Sequence, residues 1–186
     1  MNIYDFDNTI YDGNTNIDLI LYSFVRHPFK LSKSLIITVP LFIGYKFKKV
    51  SFKRLKENML SFLFKIDNLD EYLDLFAEKH MKKIKKWYLD NQKDNDTVMS
   101  ASYEIWISKF CKKLNIKNVI STKTDDNGKI IGNNCKGEEK VIRFRKEFPN
   151  EIVNNAYSDS IKEDKSMLSI AKKAYLVKKN ELIEYK

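Results

Sequence analysis

Asp5-Phe6-Asp7-Asn8-Thr9 follows the apolar pair Ile3-Tyr4 and sets two carboxylates two residues apart where a short strand would end. On a straight strand, side chains i and i+2 share a side. Like charges that close repel, and their pKa values separate unless a cation sits between them. Such a pair suits a metal site or a proton transfer. The same residue types also suit an Asx-rich turn, because Asp, Asn and Thr favour turns and helix caps. Five residues alone do not choose between the two readings. What the rest of the chain brings to them decides.

The chain has 186 residues, 43% hydrophobic and 32% charged, which fits one folded domain, or one domain carrying a large insertion. Five Gly and three Pro leave room for few long loops, so helices should dominate. The start, Met1-Asn2-Ile3-Tyr4-Asp5, lacks the basic and apolar regions of a secretion signal. Cys111 and Cys135 form no paired motif and read as reduced thiols of a cytoplasmic protein, with no catalytic role. The net charge of +9 could draw nucleic acid, an anionic membrane or an anionic small substrate. Against a dedicated nucleic-acid function, Lys is scattered throughout and no recognition motif accompanies it. The cluster Lys82-Lys83-Ile84-Lys85-Lys86 reads as a solvated helix face.

The elements that must position the carboxylates alternate in a specific way. Residues 3–6 read as a strand. Residues 15–90 are almost purely helical in periodicity, with Leu69, Leu73, Phe76, Ile84 and Trp87 marking one buried stripe. Asp94-Asn95-Asp96 is a polar linker, and Thr97-Val98-Met99 leads as a strand into Ser100-Ala101-Ser102. A helix is expected over 103–114 and a strand over 118–121. Asp125-Asp126-Asn127-Gly128 signals a hairpin turn, with Lys129-Ile130-Ile131 returning as a strand. Helices over 138–148 and 164–172 and strands over 152–157 and 174–177 complete the chain. The alternation implies a parallel sheet with helices on both faces, interrupted after its first strand by a helical insertion. Ligands of such sheets bind beyond the carboxyl ends of the strands, which brings Asp5, Asp7, Ser100 and Asp159 to one cleft.

The residues now reach a family. Asp5-Phe6-Asp7-Asn8-Thr9, then Val98-Met99-Ser100-Ala101-Ser102, then Lys140 in Gly137-Glu138-Glu139-Lys140, then Ser158-Asp159-Ser160 with Asp164 and Met167-Leu168, resemble the four ordered motifs of the haloacid dehalogenase-like superfamily. The helical insertion resembles the C1-type cap of its phosphoserine-phosphatase-like branch, and the likeness spans essentially the whole chain. It implies an α/β fold, a Rossmann-like parallel-sheet core of residues 1–13 and 95–186 with an inserted all-helical cap of residues 14–94. The implied activity is Mg²⁺-dependent hydrolysis of a small phosphorylated metabolite through an aspartyl-phosphate. Asp5 is then the nucleophile, and Asp7 the general acid and later the base. Thr9, Ser100 and Lys140 belong to the phosphate site, Thr9 also supporting Asp7 and its loop. Asp5, the backbone carbonyl of Asp7, and Asp159 hold Mg²⁺, while Asp164 orients water or Lys140.

On the residues alone, Ser100 reads as a helix cap before Tyr103, Lys140 as a solvated lysine beside Glu138, Glu139, Arg143 and Arg145, and Asp159 and Asp164 as caps. One departure from the pattern stands out. In much of the branch the second acidic residue lies four after the first, which is Glu163 here; Asp164 needs one inserted residue. Asp164 is the reading adopted, with Glu163 left open.

The leaving group is less legible. Phosphoserine-specific members carry an acidic residue nine after the nucleophile, where this chain has Asn14. The apolar run from Ser34 to Tyr45, flanked by Lys30, Lys33, Lys46, Lys48 and Lys49, falls short of the about 20 residues that span a bilayer. It is read as a core helix of the cap. The alternative is an interfacial helix, which gives the cap a peripheral membrane contact and makes a lipid phosphate the substrate. Arg26, His27 and Arg54 are cap residues that could meet an anion, with solvation as their default. A phosphomutase, or a non-enzymatic basic binding module on the same fold, is the remaining alternative.

Overall fold

The computed structural model describes residues 1–185. β1 (Asn2–Tyr4) is followed by five helices, α1 (Thr15–Arg26), α2 (Pro28–Lys46), α3 (Phe52–Leu60), α4 (Leu69–His80) and α5 (Lys86–Asn91), with short 3-10 turns at Leu63–Lys65 and Met81–Lys83. Strands and helices then alternate through β2 (Thr97–Tyr103), α6 (Glu104–Lys113), β3 (Asn118–Thr122), α7 (Glu138–Glu147), β4 (Asn155–Ser158) and α8 (Ile161–Ser169). β5 (Lys173–Lys178) and β6 (Glu181–Glu184) close the described chain.

One six-stranded sheet results, in the order β3-β2-β1-β4-β5-β6, parallel except for β6, which runs antiparallel to β5. This is the doubly wound, Rossmann-like arrangement, with the order reversing beside β1. Pairing of Tyr4 with Val98 on one side and with Tyr157 on the other aligns the strand ends, so Asp5, Ser100 and Asp159 all follow the same edge. Tyr4, Tyr157 and Tyr175 stack in register across three strands at 4.7 and 5.1 Å. One apolar cluster joins Phe6, Tyr11, Phe76 and Phe110, so the inserted helices pack directly on α6. A second cluster, with Ile3, Met99, Phe144 and Met167, covers the other face through α7 and α8. Both faces are covered, as an all-parallel region requires.

Several sequence expectations are corrected. β1 ends at Tyr4, because Thr9, Ile10 and Tyr11 all turn their N–H groups back onto the Phe6 carbonyl, at 3.2, 3.0 and 2.9 Å. The turn at Asp125–Gly128 forms, with Gly128 at φ +79° and its N–H on Asp125. No strand follows it: Thr124 and Ile130 make a single bridge, and the Ile130 N–H donates to Glu57 of α3 at 2.8 Å. β6 escaped notice because all four of its residues are exposed, leaving no alternation to read. The stripe from Leu69 to Trp87 is not one helix, since the chain is extended at Ile84, which bridges to Tyr11. Nor is the lysine cluster a solvated face. Lys83 pairs with Asp18 at 2.6 Å, and buried Lys85 donates to the Asn8 carbonyl.

The largest correction concerns α2. It is no core helix: the residues it buries are Leu31, Ser34 and Thr38, while most of its large apolar side chains face outward.

Candidate active site

A cavity of about 320 Å³ opens at the carboxyl ends of β1, β2 and β4, beneath α1 and α3. Asp5, Asp7, Ser102, Lys140, Asp159 and Asp164 line its floor, and Ile17, Phe52, Lys56 and Met59 its roof. A larger, more open concavity of about 1000 Å³ lies beside α4 and α6, and none of the motif residues reaches it.

Asp5 follows β1 directly, its N–H on the Tyr157 carbonyl at 2.9 Å. Lys140, in the first turn of α7, places its ammonium 2.7 Å from Asp5 Oδ1 and 2.7 Å from Asp164 Oδ1. Only 2% of Lys140 is exposed, and an ammonium so buried persists only when paired. Asp164 reaches it because α8, capped by Ser160, leaves helical geometry at that residue, with φ −115° and ψ 21°. Its other oxygen accepts the Ser158 hydroxyl at 2.7 Å.

Asp7 is held differently. Its Oδ1 accepts the Thr15 N–H at the start of α1 at 2.6 Å, and its Oδ2 accepts the Ser102 hydroxyl at 2.5 Å. Ser102 is in turn fixed by the Asn16 amide at 2.7 Å. The two carboxylates thus share a cavity without sharing partners. The turn and the carboxylate pair are both real: Asn8, at φ +58°, curls the chain and swings Asp7 into the cavity beside Asp5.

Charge follows from this packing. Burial pushes the Asp5 carboxyl up to about 7, although Lys140 opposes it. Burial also raises Asp7, against the Ser102 and Thr15 hydrogen bonds. Asp159 is raised by burial and by Asp164. Burial works against the Lys140 ammonium, but Asp5 and Asp164 outweigh it and hold the proton on. Ionising these carboxylates together in the cavity is therefore costly, and a cation between them would offset that cost.

Of the residues singled out in the sequence, Asp5, Asp7, Lys140, Asp159 and Asp164 meet in the cavity. Asp164, not Glu163, engages Lys140; Glu163 also lines the cavity but is exposed and pairs with Lys136 at 2.8 Å. Thr9 is placed differently from the expectation. Its hydroxyl donates to Asp5 at 3.2 Å and accepts the Asp159 N–H at 2.9 Å, so it is fully engaged and touches neither Asp7 nor the cavity. Ser100 is buried and accepts the Ser102 N–H at 3.1 Å, while Ala101 and Ser102 form the wall. Asn14 caps α1, accepting from the N–H groups of Asn16 and Ile17.

Sequence reading missed Ser102, Asn134 and Lys56. Ser102 had a signal, being two residues from Ser100 on the same strand. Lys56 had none: its ammonium reaches from α3 to the Ala101 carbonyl at 2.6 Å and Asn134 Oδ1 at 2.7 Å, a pairing set by tertiary packing. Burial lowers its pKa to about 7. Cys111 and Cys135 are buried and unbridged, and neither lines the cavity.

Among the described residues, no three acidic, His or Cys side chains converge tightly enough to hold a metal alone. Asp5 and Asp159, which line the cavity, and the Asp7 carbonyl would offer oxygen donors only. That suits Mg²⁺, which takes one or two carboxylates and completes its shell with water and phosphate.

Residues 3–169, from β1 to the end of α8, match the haloacid dehalogenase-like hydrolase family. Over 81 residues the chain is 36% identical to Protein CicA from two strains of Caulobacter vibrioides, covering 40% of this chain and 36% of that protein. The match thus spans little more than a third of the curated relatives' length. The backbone is similar to a protein with unknown function from Bordetella pertussis Tohama I, with TM-score 0.72, 16% identity, and coverage of 94% of this chain and 87% of that one. It is also similar to a phosphoserine phosphohydrolase-like protein from Francisella tularensis subsp. tularensis SCHU S4, with TM-score 0.54, 20% identity, and coverage of 94% and 86%. At such identities these likenesses speak for the fold alone. Because the family match runs through every motif-bearing element, this chain belongs to the haloacid dehalogenase-like hydrolase family.

Proposed function

We propose that the chain is a Mg²⁺-dependent phosphomonoester phosphatase working through phosphorylated Asp5. The observation that carries this reading is the pair of buried carboxylates in one cavity, Asp5 bound to Lys140 and Asp7 bound to Ser102 and the Thr15 N–H. In the first step Asp5 attacks phosphorus, the ester P–O bond breaks, and Asp7 gives its proton to the leaving oxygen. In the second, Asp7 takes a proton from water as that water attacks phosphorus, and Asp5 is freed with release of phosphate. Burial of Asp7 favours the protonated form that the first step needs. Lys140 supplies fixed positive charge beside the phosphoryl oxygens. Asp5, the Asp7 carbonyl and Asp159 would hold Mg²⁺, which adds charge that stabilises the phosphoryl oxygens.

Residues 14–94 act in this reading as a cap over the core of residues 1–13 and 95–186. Lys53 and Lys56 of α3 hold it closed against Gly132, Ala101 and Asn134. Opening would then admit water for the second step. For the substrate, a small phosphorylated metabolite fits the cavity. A second reading, the phosphate ester of a lipid, is favoured by the exposed Ile17 and Phe52 in the cavity lining.

The test is release of phosphate from p-nitrophenyl phosphate with and without Mg²⁺, using wild type and Asp5→Asn. Activity confined to wild type with Mg²⁺ is expected, with both proteins folded by circular dichroism. Full activity in Asp5→Asn would overturn the assignment of the nucleophile.

A further inference from the structure

From Leu19 to Lys56 the chain contains nine Lys and Arg and no Asp or Glu. The whole chain has 34 basic and 25 acidic residues, so everything outside this stretch carries 25 of each sign. The entire formal charge of +9 therefore belongs to α1, α2 and the start of α3. Basic residues occur throughout the chain; what sets this stretch apart is that no acid balances them.

The same region is inverted in polarity. α2 turns Ser34 and Thr38 inward, where the Ser34 hydroxyl donates to the Asn58 carbonyl at 2.7 Å and Thr38 to the Ser34 carbonyl at 2.8 Å. Ile36, at 71% exposure, and Ile37, Val39, Phe42 and Ile43 point outward. α1 adds Ile17, Leu21 and Phe24 at helical spacing, and Phe29 at the junction is 84% exposed. Folding alone gives no reason to bury hydroxyls while leaving isoleucines in water.

We infer that this surface rests on an anionic lipid bilayer. Outward apolar side chains of α2 enter the acyl boundary, and Arg26, Lys33, Lys46, Lys48 and Lys49 reach the lipid phosphates, their aliphatic stems lying along the apolar surface. The helix lies in the interface, since no helix among the described residues is long and apolar enough to cross a membrane. A second copy of the chain is a poor occupant, because two such faces would oppose cations with no acid between them. Nucleic acid would match the charge and leave the apolar side chains in water. Tyr45 of α2 packs on Phe52 at 5.8 Å, and Phe52 and Ile17 belong to both the outward surface and the cavity lining. Docking therefore sets the cavity mouth against the lipid.

Sedimentation with vesicles tests this without any appeal to catalysis. Wild type is expected to sediment with vesicles of phosphatidylcholine containing about a third phosphatidylserine, and far less with phosphatidylcholine alone. Two variants address the two halves of the surface: Phe42→Glu with Ile43→Glu, and Lys46→Glu with Lys48→Glu and Lys49→Glu. Each is expected to lose at least about tenfold in partitioning, and the wild-type interaction to weaken as salt rises. All the substituted residues are exposed, so melting should be unchanged; should the apolar variant misfold, the charge variant carries the test. Wild type left in the supernatant, or both variants bound as wild type, would overturn the inference. So would light scattering that shows a wild-type dimer, dissolved by the variants, with no vesicle binding.

Discussion

At the scale of residues, the site separates two aspartates that sit two positions apart. Asp5 is bound to a buried cation and Asp7 to neutral donors, so the first keeps an ionic partner while the second can exchange a proton. The type and spacing of the acidic residues were legible in the sequence, since Asp5, Asp7, Asp159 and Asp164 all line the cavity. Hydroxyl roles were not, because a hydroxyl's partner depends on backbone turns: Thr9 clamps Asp5 to the Asp159 loop, and Ser102 bonds Asp7. Ser102 is thus a positioning residue with a measurable effect. A hydrogen bond to a charged group contributes about 1.5–3 kcal/mol. Ser102→Ala should therefore lower kcat by roughly 10- to 100-fold while KM changes little, provided Asp7 acts as proton donor. A change in KM alone would show that Ser102 binds substrate instead.

At the scale of elements, β2 to β5 and α6 to α8 were legible because each has a buried stripe flanked by turn residues, although α8 starts at Ile161 and not at 164, β4 starts at Asn155 and not at 152, and no strand forms at 129–131. What escaped were elements whose burial pattern departs from their polarity, the exposed strand β6 and the inverted helix α2. Helix α3 was seen only as part of a helical stretch, yet it carries one of the bonds that tie that stretch to the sheet. Lys56 is lowered by burial from 10.5 to about 7. Between those values the unfolded chain holds a proton that the folded one lacks, so this residue makes stability rise with pH across that window and adds a constant penalty below it. Lys56→Met removes the slope. Melting temperatures of both proteins, followed from neutral pH to about pH 10, should show wild type gaining more than the variant. Parallel curves would mean that Lys56 stays charged in the folded protein through its contacts with Ala101, Asn134 and the Tyr103 ring.

At the scale of the whole molecule, charge is segregated. A chain of net charge +9 keeps Asp5, Asp7, Asp159, Glu163 and Asp164 around one cavity, against Lys56, Lys136 and Lys140. The carboxylates come from opposite ends of the sequence and are brought together because β1 lies between β2 and β4. Relief of their repulsion by a cation should therefore stabilise the entire fold. A ligand at about 100 times its Kd adds about 2.7 kcal/mol, which is on the order of 5–10 °C for a chain of this size. Mg²⁺ should raise the melting temperature of wild type by that order and leave Asp159→Asn nearly unmoved. The sign of the pH dependence follows from Asp5. Its folded pKa is raised to about 7, so the metal-free protein holds an extra proton there, and the stability this contributes is lost as pH rises through that value. Mg²⁺ needs the ionised form, so its stabilising effect should be small near pH 5 and approach its full size above about pH 7. An equal shift at both pH values, or an equal shift in Asp159→Asn, would place the ion elsewhere on the molecule.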